Sequence, residues 1–214
     1  MPNNPLDNID QVHLEVFQEI GNIGAGNAAT ALAGILNRRI DMSVPKAKIV
    51  PFDTIVNLLE GPETIVAGVL IDISMDLNGY VLLVLHLRDA AEIMKLALNS
   101  DESAESIVAR ALSTGLGEIE YSVMLEVSNI LAGSFLSAIS SMTGLRIVPS
   151  IPQLSIDMLG AIMSIVAIQY GQSGDSVLFL DTRFSDDAKD ITGNFFLIPD
   201  YESYKKLIGT LGID

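Results

Sequence analysis

The chain has 214 residues, 49% of them hydrophobic and 18% charged, a composition too apolar for disorder and long enough for one substantial core or two small ones fused into one globule. Its formal charge of −15, from 27 Asp and Glu against 12 Lys and Arg, leaves little to replace the counterions around nucleic acid, so no DNA or RNA partner is expected. The lack of cysteine excludes disulfides, thiolate metal sites and a cysteine nucleophile, and suits a reducing compartment.

The first residues hold no basic segment followed by an apolar one, so no signal peptide is expected and the cytoplasm is the predicted location. From Ile9 the apolar residues Val12, Val16, Ile20 and Ile23 recur at three- and four-residue steps and continue through Ala28, Ala31, Leu32 and Ile35. That period predicts one long helix ending near Asn37. Three apolar runs follow, at 46–52, 65–73 and 79–87, bounded by Pro45, Gly61-Pro62 and Asn78-Gly79; they read as antiparallel strands. A helix is predicted at 89–98.

After a polar linker the order begins again, with a helix over 107–142 broken near Gly115 and Gly117. Strands are predicted at 147–156, 159–170, 177–184 and 194–198, and a last helix at 201–211. A mean hydropathy of +0.43 raises the question of a membrane span, since residues 20–37 and 127–145 run uncharged for about the length of a bilayer crossing. Both stretches are interrupted by Gly, Asn, Ser and Thr, so two helices buried in a protein core are expected and no membrane span.

The two halves resemble each other in letters as well as in pattern. Glu19-x-x-Asn22 recurs as Glu126-x-x-Asn129, and each is followed at similar distance by Val-Pro, at Val44-Pro45 and Val148-Pro149. A repeat distance of half the chain is far too long for a solenoid. The expected fold is therefore α/β of the α+β type in a single domain: two tandem α-β-β-β-α repeats, at about 9–98 and 104–211, related by pseudo-twofold symmetry, sharing one sheet with two long helices on one face. Such a duplication supplies what a symmetric dimer would, so a monomer is expected.

The segment from Glu19 to Ala29 is the richest in candidate chemistry. Gly24-x-Gly26-x-x-Ala29 matches a dinucleotide-binding fingerprint in letters, but that motif needs a strand, a turn and a helix in succession. The helical period running through the glycines favours a bland role for Gly24, Gly26 and Ala28, which is close helix packing. Glu19 and Asn22, three apart, project side by side from one helix face, as do Glu126 and Asn129. Glu and Asn at this spacing also occur by chance as an exposed acid beside a locally bonded amide. Their recurrence within otherwise apolar helices is the signal for a paired site. His13 and His86 are isolated, and no cluster has zinc spacing. Ser137, Ser140 and Ser141 lack a nucleophile elbow. Asp72 and Asp76, near a turn, form either a cation site or, as favoured, a solvated loop.

The run from Glu19 to Leu32, followed by Val44-Pro45, resembles the first signature of the CheC/CheX/FliY family of chemotaxis phosphatases, and Glu126-Val-Ser-Asn-Ile-Leu-Ala-Gly-Ser-Phe135 resembles the second. Ser128 and Leu131 stand where the first copy has glycines. Two signatures without an added motor-switch domain resemble the CheC members of the family. The resemblance implies a hydrolase acting on the aspartyl phosphate of the response regulator CheY, with the deamidase CheD as a second partner. It implies that Asn22 and Asn129 orient the attacking water while Glu19 and Glu126 pair with the receiver's active-site lysine. No cofactor or metal ligand of its own is implied, Mg2+ being supplied by the receiver. Two other readings stand beside it: a noncatalytic adaptor binding CheD and phosphorylated CheY, and a dinucleotide enzyme.

Overall fold

The computed structural model describes residues 11–36, 38–170, 176–185 and 190–211. The opening apolar period forms helix α1, Gln11–Leu36; Ile9 and Asn37, the predicted ends, lie outside the described residues. Its inward stripe of Phe17, Ile20, Gly21, Gly24, Ala25, Ala28 and Leu32 is buried. Strand β1, Asp41–Pro51, starts ahead of Pro45 instead of after it. The ladder shifts between Ser43 and Lys46, and a bulge on an edge strand is where a proline without an N–H is tolerated.

A 3-10 turn at Phe52–Thr54 and a short helix α2, Ile55–Leu58, then lead to the hairpin of β2, Ile65–Met75, and β3, Gly79–His86. Helix α3, Leu87–Leu98, ends on Asn99 in the left-handed region at φ 48°, a conformation asparagine tolerates. The predicted break at the paired glycines separates α4, Ala104–Ser113, from α5, Glu118–Thr143, with Gly115 at φ +87°. The remainder is β4 Ile147–Pro149, β5 Gln153–Met158, α6 Leu159–Tyr170, β6 Ser176–Ser185, β7 Asp190–Pro199 and α7 Tyr201–Leu211.

The segment expected as a strand at 159–170 is the helix α6. An unbroken apolar run does not distinguish the two by period alone. Burial does, since Leu159, Ile162, Met163 and Val166 are buried while Ile165 and Ile168 face out. The first turn is anchored where Leu159 N–H donates to Thr64 O at 2.8 Å and Gly160 N–H to Pro62 O at 2.9 Å, giving partners to helix-start donors that would otherwise have none. With α2 and α6 included, the first half runs α-β-α-β-β-α and the second α-α-β-β-α-β-β-α, which corrects the expected α-β-β-β-α order.

All seven strands form one antiparallel sheet in the order β1-β6-β7-β3-β2-β4, with β5 also paired to β2. β4 takes Ile73 to Met75 of β2 and β5 takes Ile65 to Leu70, so one edge position is filled by two pieces broken at residues 150–152. Side chains alternate across the sheet. Val81, Leu83, Leu85, Leu178, Leu180, Phe195 and Leu197 join the core beneath α1 and α5, whereas Leu82, Val84, Val177, Phe179, Phe196 and Ile198 join a second core beneath α2 and α6. The long helices thus share one face of the sheet, as expected. Phe135 of α5 meets Phe195 with ring centroids 4.5 Å apart.

By length and composition α5 would suit a bilayer. Its apolar side is spent instead on the protein core, where Met124, Val127, Leu131, Phe135 and Ile139 are buried. The two long helices approach each other closely at Gly24, where a Cβ would lie 2.9 Å from Phe135 Cα and 2.8 Å from its ring. Gly24→Ala should therefore cost about 1–3 kcal/mol in urea unfolding, although alanine is the better helix former.

Candidate functional site

All four residues singled out in the sequence project outward. Glu19 and Asn22 are exposed on the side of α1 opposite its buried stripe, and Glu126 and Asn129 are exposed on the corresponding side of α5. The helical period that buries Phe17, Ile20 and Gly24 is what turns this acid and amide toward solvent together. The structure therefore brings the residues together as two pairs, one on each helix.

The two amides differ in what holds them. Asn22 Oδ1 accepts the N–H of Val44 at 2.9 Å, which pins the side chain against β1. This reach is possible because α1 approaches the strand at Gly21, whose added Cβ would sit 3.1–3.2 Å from the Val44 side chain. The Asn22 amide keeps its two N–H donors and a second oxygen lone pair for other work. Among the described residues the Asn129 carboxamide has no hydrogen-bond partner. With Ser122, Leu125 and Glu126 it forms one wall of an open groove of about 430 Å³ whose other wall is residues 149–152.

That far wall is the piece the sequence reading missed. It lies at the break between β4 and β5, and the prolines at 149 and 152 were the available signal, since proline interrupts a ladder. Asp72 and Ser150 clasp it: Ser150 N–H donates to Asp72 O at 2.8 Å and Asp72 N–H donates to Ser150 Oγ at 3.0 Å. Asp76 is likewise a structural acid. It pairs with Lys206 Nζ at 2.7 Å and accepts Arg146 N–H at 2.9 Å. The Lys206 hydrogen bond, then the one from the Arg146 backbone, holds its carboxyl at about 2, below the usual range. Asp76 thus ties the β2–β3 turn to α7 and to Arg146 just before β4, whereas Asp72 lies within β2 and joins it to Ser150 chiefly through its backbone, so neither is part of a free solvated loop.

The start of α5 is held by Glu120. Its carboxylate takes Arg110 Nη1 and Nη2 at 2.6 and 2.8 Å and the Gly117 N–H at 2.9 Å. The Arg110 guanidinium, and after it the Gly117 N–H, keep this carboxyl below the ordinary range. A bidentate pair of this kind sets orientation as well as energy, and here it fixes the first turn of α5 against α4.

The dinucleotide reading fails on geometry. Residues 12–16 are helical and α1 runs through Gly24 and Gly26 without a turn, so the strand and phosphate-binding turn are missing. Of the small residues expected to serve packing, Gly24 and Ala28 do so, but Gly26 is exposed and has no atom within 4 Å of where its Cβ would be. His13 is buried in α1 and His86 precedes α3. Among the described residues no three His, Asp or Glu gather into a group that could hold a metal ion.

Residues 12–49, which span α1 and β1, match the CheC-like family. Over 210 residues the chain is 34% identical to the CheY-P phosphatase CheC of Bacillus subtilis (strain 168), covering 97% of each protein. The chain belongs to the CheC-like family. It is also 29% identical over 151 residues to the flagellar motor switch phosphatase FliY of the same bacterium, covering 71% of this chain and 37% of that one. The fold matches Thermotoga maritima FliY with a TM-score of 0.73 at 20% identity, over 96% of this chain and 98% of that one. It matches the FliM middle domain of H. pylori with a TM-score of 0.66 at 8% identity, over 94% and 99%. Within this CheC-like chain the departures of the second signature are turned inward. Ser128 and Leu131 are buried at 1% and 7% exposure, so they alter the packed side of α5 and leave the face of Glu126 and Asn129 unchanged.

Two outcomes follow from these contacts. Asn22→Ala should lose about 1 kcal/mol in urea unfolding, because the buried Val44 N–H loses its acceptor, whereas Asn129→Ala should stay within about 0.5 kcal/mol of the parent. Asp76, with its folded pKa depressed, stabilises the fold above the unfolded carboxylate value of about 3.9, and that contribution disappears as pH falls toward ~2. Thermal melts of the parent and of Asp76→Asn should therefore differ at neutral pH and converge in strong acid.

Proposed function

We propose that the chain hydrolyses the aspartyl phosphate of the chemotaxis response regulator CheY, with Asn22 and Asn129 each orienting an attacking water and Glu19 and Glu126 docking the receiver. The observation that carries this reading is the outward Glu and Asn pair on one helix face, present once on α1 and once on α5. The activity for which the B. subtilis relative is named, CheY-P phosphatase, supports the substrate.

An aspartyl phosphate is already activated. Its hydrolysis needs a water oxygen in line with the bond between phosphorus and the aspartate oxygen: the new P–O bond forms, the aspartate leaves as a free carboxylate, and the water's proton passes to the phosphate product or to solvent. Catalysis is then mainly positioning. A carboxamide suits that task because it can donate to one partner and accept from another without changing its own protonation. At Asn22 the Val44 hydrogen bond turns the amide oxygen toward β1, which supports a role for the NH2 in donating to the water or to a phosphoryl oxygen. At Asn129 the groove formed with residues 149–152 leaves both ends available. The glutamates carry negative charge next to each amide, which suits recognition of a lysine on the receiver and sets docking register. In this scheme the divalent cation arrives with the receiver.

The test is steady-state or single-turnover loss of phosphate from phosphorylated CheY. The pair Asn22→Ala with Asn129→Ala should lower kcat/KM by about 100-fold or more with circular dichroism unchanged. Asn22→Asp with Asn129→Asp separates chemistry from fold, since a carboxylate still accepts from Val44 N–H but has no NH2 to donate; it should be stable and inactive. Full turnover by either double variant would overturn the roles given to the two asparagines, whereas a parent that binds phosphorylated CheY without releasing phosphate would leave the noncatalytic adaptor reading in place.

A further inference from the structure

Gly133 is the sole glycine of α5, four residues after Asn129, and Gly26 stands four residues after Asn22 in α1. At about 100° per residue each glycine falls between the Glu and the Asn around the helix and one turn further along it. A Cβ built at either position would meet nothing within 4 Å, in contrast to Gly21 and Gly24, where it would press on Val44 and Phe135. Neither Gly26 nor Gly133 has a positive φ, so the backbone does not call for glycine. Both sit well inside long helices, where glycine is markedly less favourable than alanine. The other helical glycines with open space, Gly34 and Gly209, lie in the last turns of α1 and α7, where the hydrogen-bond ladder already frays. Beyond Gly26 the surface stays low, in an open depression of about 510 Å³ lined by Ala29, Thr30 and Ala33 and by residues 39–42.

We propose that Gly26 and Gly133 are clearance positions, kept bare so that the surface of a phosphorylated receiver can close onto the helix until the neighbouring asparagine reaches the phosphoryl group. The inference rests on the phosphatase reading above. Asparagine is a short side chain, so a partner held off by one methyl group on the same face, one turn away, would leave the amide short of its target. A misplacement of about 1 Å is enough to lose roughly 100-fold in rate. The helix stability given up at both positions finds no compensation inside the molecule; in this proposal it is recovered in the complex.

The experiment compares the parent with Gly26→Ala/Gly133→Ala and Gly26→Leu/Gly133→Leu, each tested for thermal stability and for steady-state turnover of phosphorylated CheY. The alanine pair should raise Tm by about 4 °C, as two relieved helix glycines would, and lower kcat/KM by roughly tenfold, the penalty of an overpacked contact. The leucine pair should lower kcat/KM further, with kcat itself reduced because the amide is held farther from the phosphoryl group. A purely structural role would move Tm and activity in the same direction. A lower Tm in the alanine pair, or a parental kcat/KM in a stable leucine pair, overturns the proposal while leaving the phosphatase reading intact. A parent protein that releases no phosphate from phosphorylated CheY sinks both.

Discussion

The close approach of α1 to α5 is the constraint from which the arrangement of the site follows. Where Gly24 lies against Phe135 the two helices pack backbone to ring, and Phe135 continues into the sheet through Phe195. Each helix then has one side committed to apolar burial and one side turned to solvent. A glutamate and an amide three apart on the free side cost the core nothing. The polar letters inside a stretch apolar enough to suit a bilayer are placed by this division of each helix into two sides.

Around that constraint the molecule fixes orientation with short-range contacts. The Arg110 and Glu120 pair holds the start of α5, and Val44 holds the first amide. On the other half the clasp between Asp72 and Ser150 holds the groove wall facing Asn129. Each contact limits a rotation or a loop position by means of one or two hydrogen bonds, which is the scale on which positioning catalysis is won or lost. The two halves reach a similar outward presentation by different local means: one amide is tied to a strand and the other is flanked by a groove.

Much of this was legible in the sequence because the responsible signal is periodic. The three- and four-residue steps from Val12 to Ile35 specify the helix but not its buried side, since Ile20, Ala28 and Leu32 are buried while Val12, Ile23 and Ile35 are exposed, and the paired glycines near 115–117 mark the corner before α5. The signal fails where period carries no information. Residues 159–170 are apolar on both the buried and the outward side, so strand and helix read alike until Leu159, Ile162, Met163 and Val166 are seen beneath one face. The four residues of α2 are too few to show a period. Pro45 suggested a strand boundary, yet the edge strand passes through it at a bulge. Gly26 and Gly24 look equivalent in the sequence and have opposite surroundings, because which glycine meets a neighbour depends on tertiary packing that letters do not record. The wall opposite Asn129 was invisible for the same reason: it is brought there by β2 pairing, from residues well separated from Asn129 along the chain.

The middle of the sheet pairs β3 with β7, with Gly79 opposite Pro199 and Leu85 opposite Gly193, and the edge strand β1 pairs only with β6. During synthesis, therefore, the N-terminal half leaves the ribosome with β1 unpartnered and β3 lacking its central neighbour until the last strands have emerged. Contacts so distant along the chain make for slow folding, and open strand edges in a nascent chain invite pairing with the wrong neighbour. The order of emergence, more than the size of the chain, thus sets how long the edges of β1 and β3 stand open.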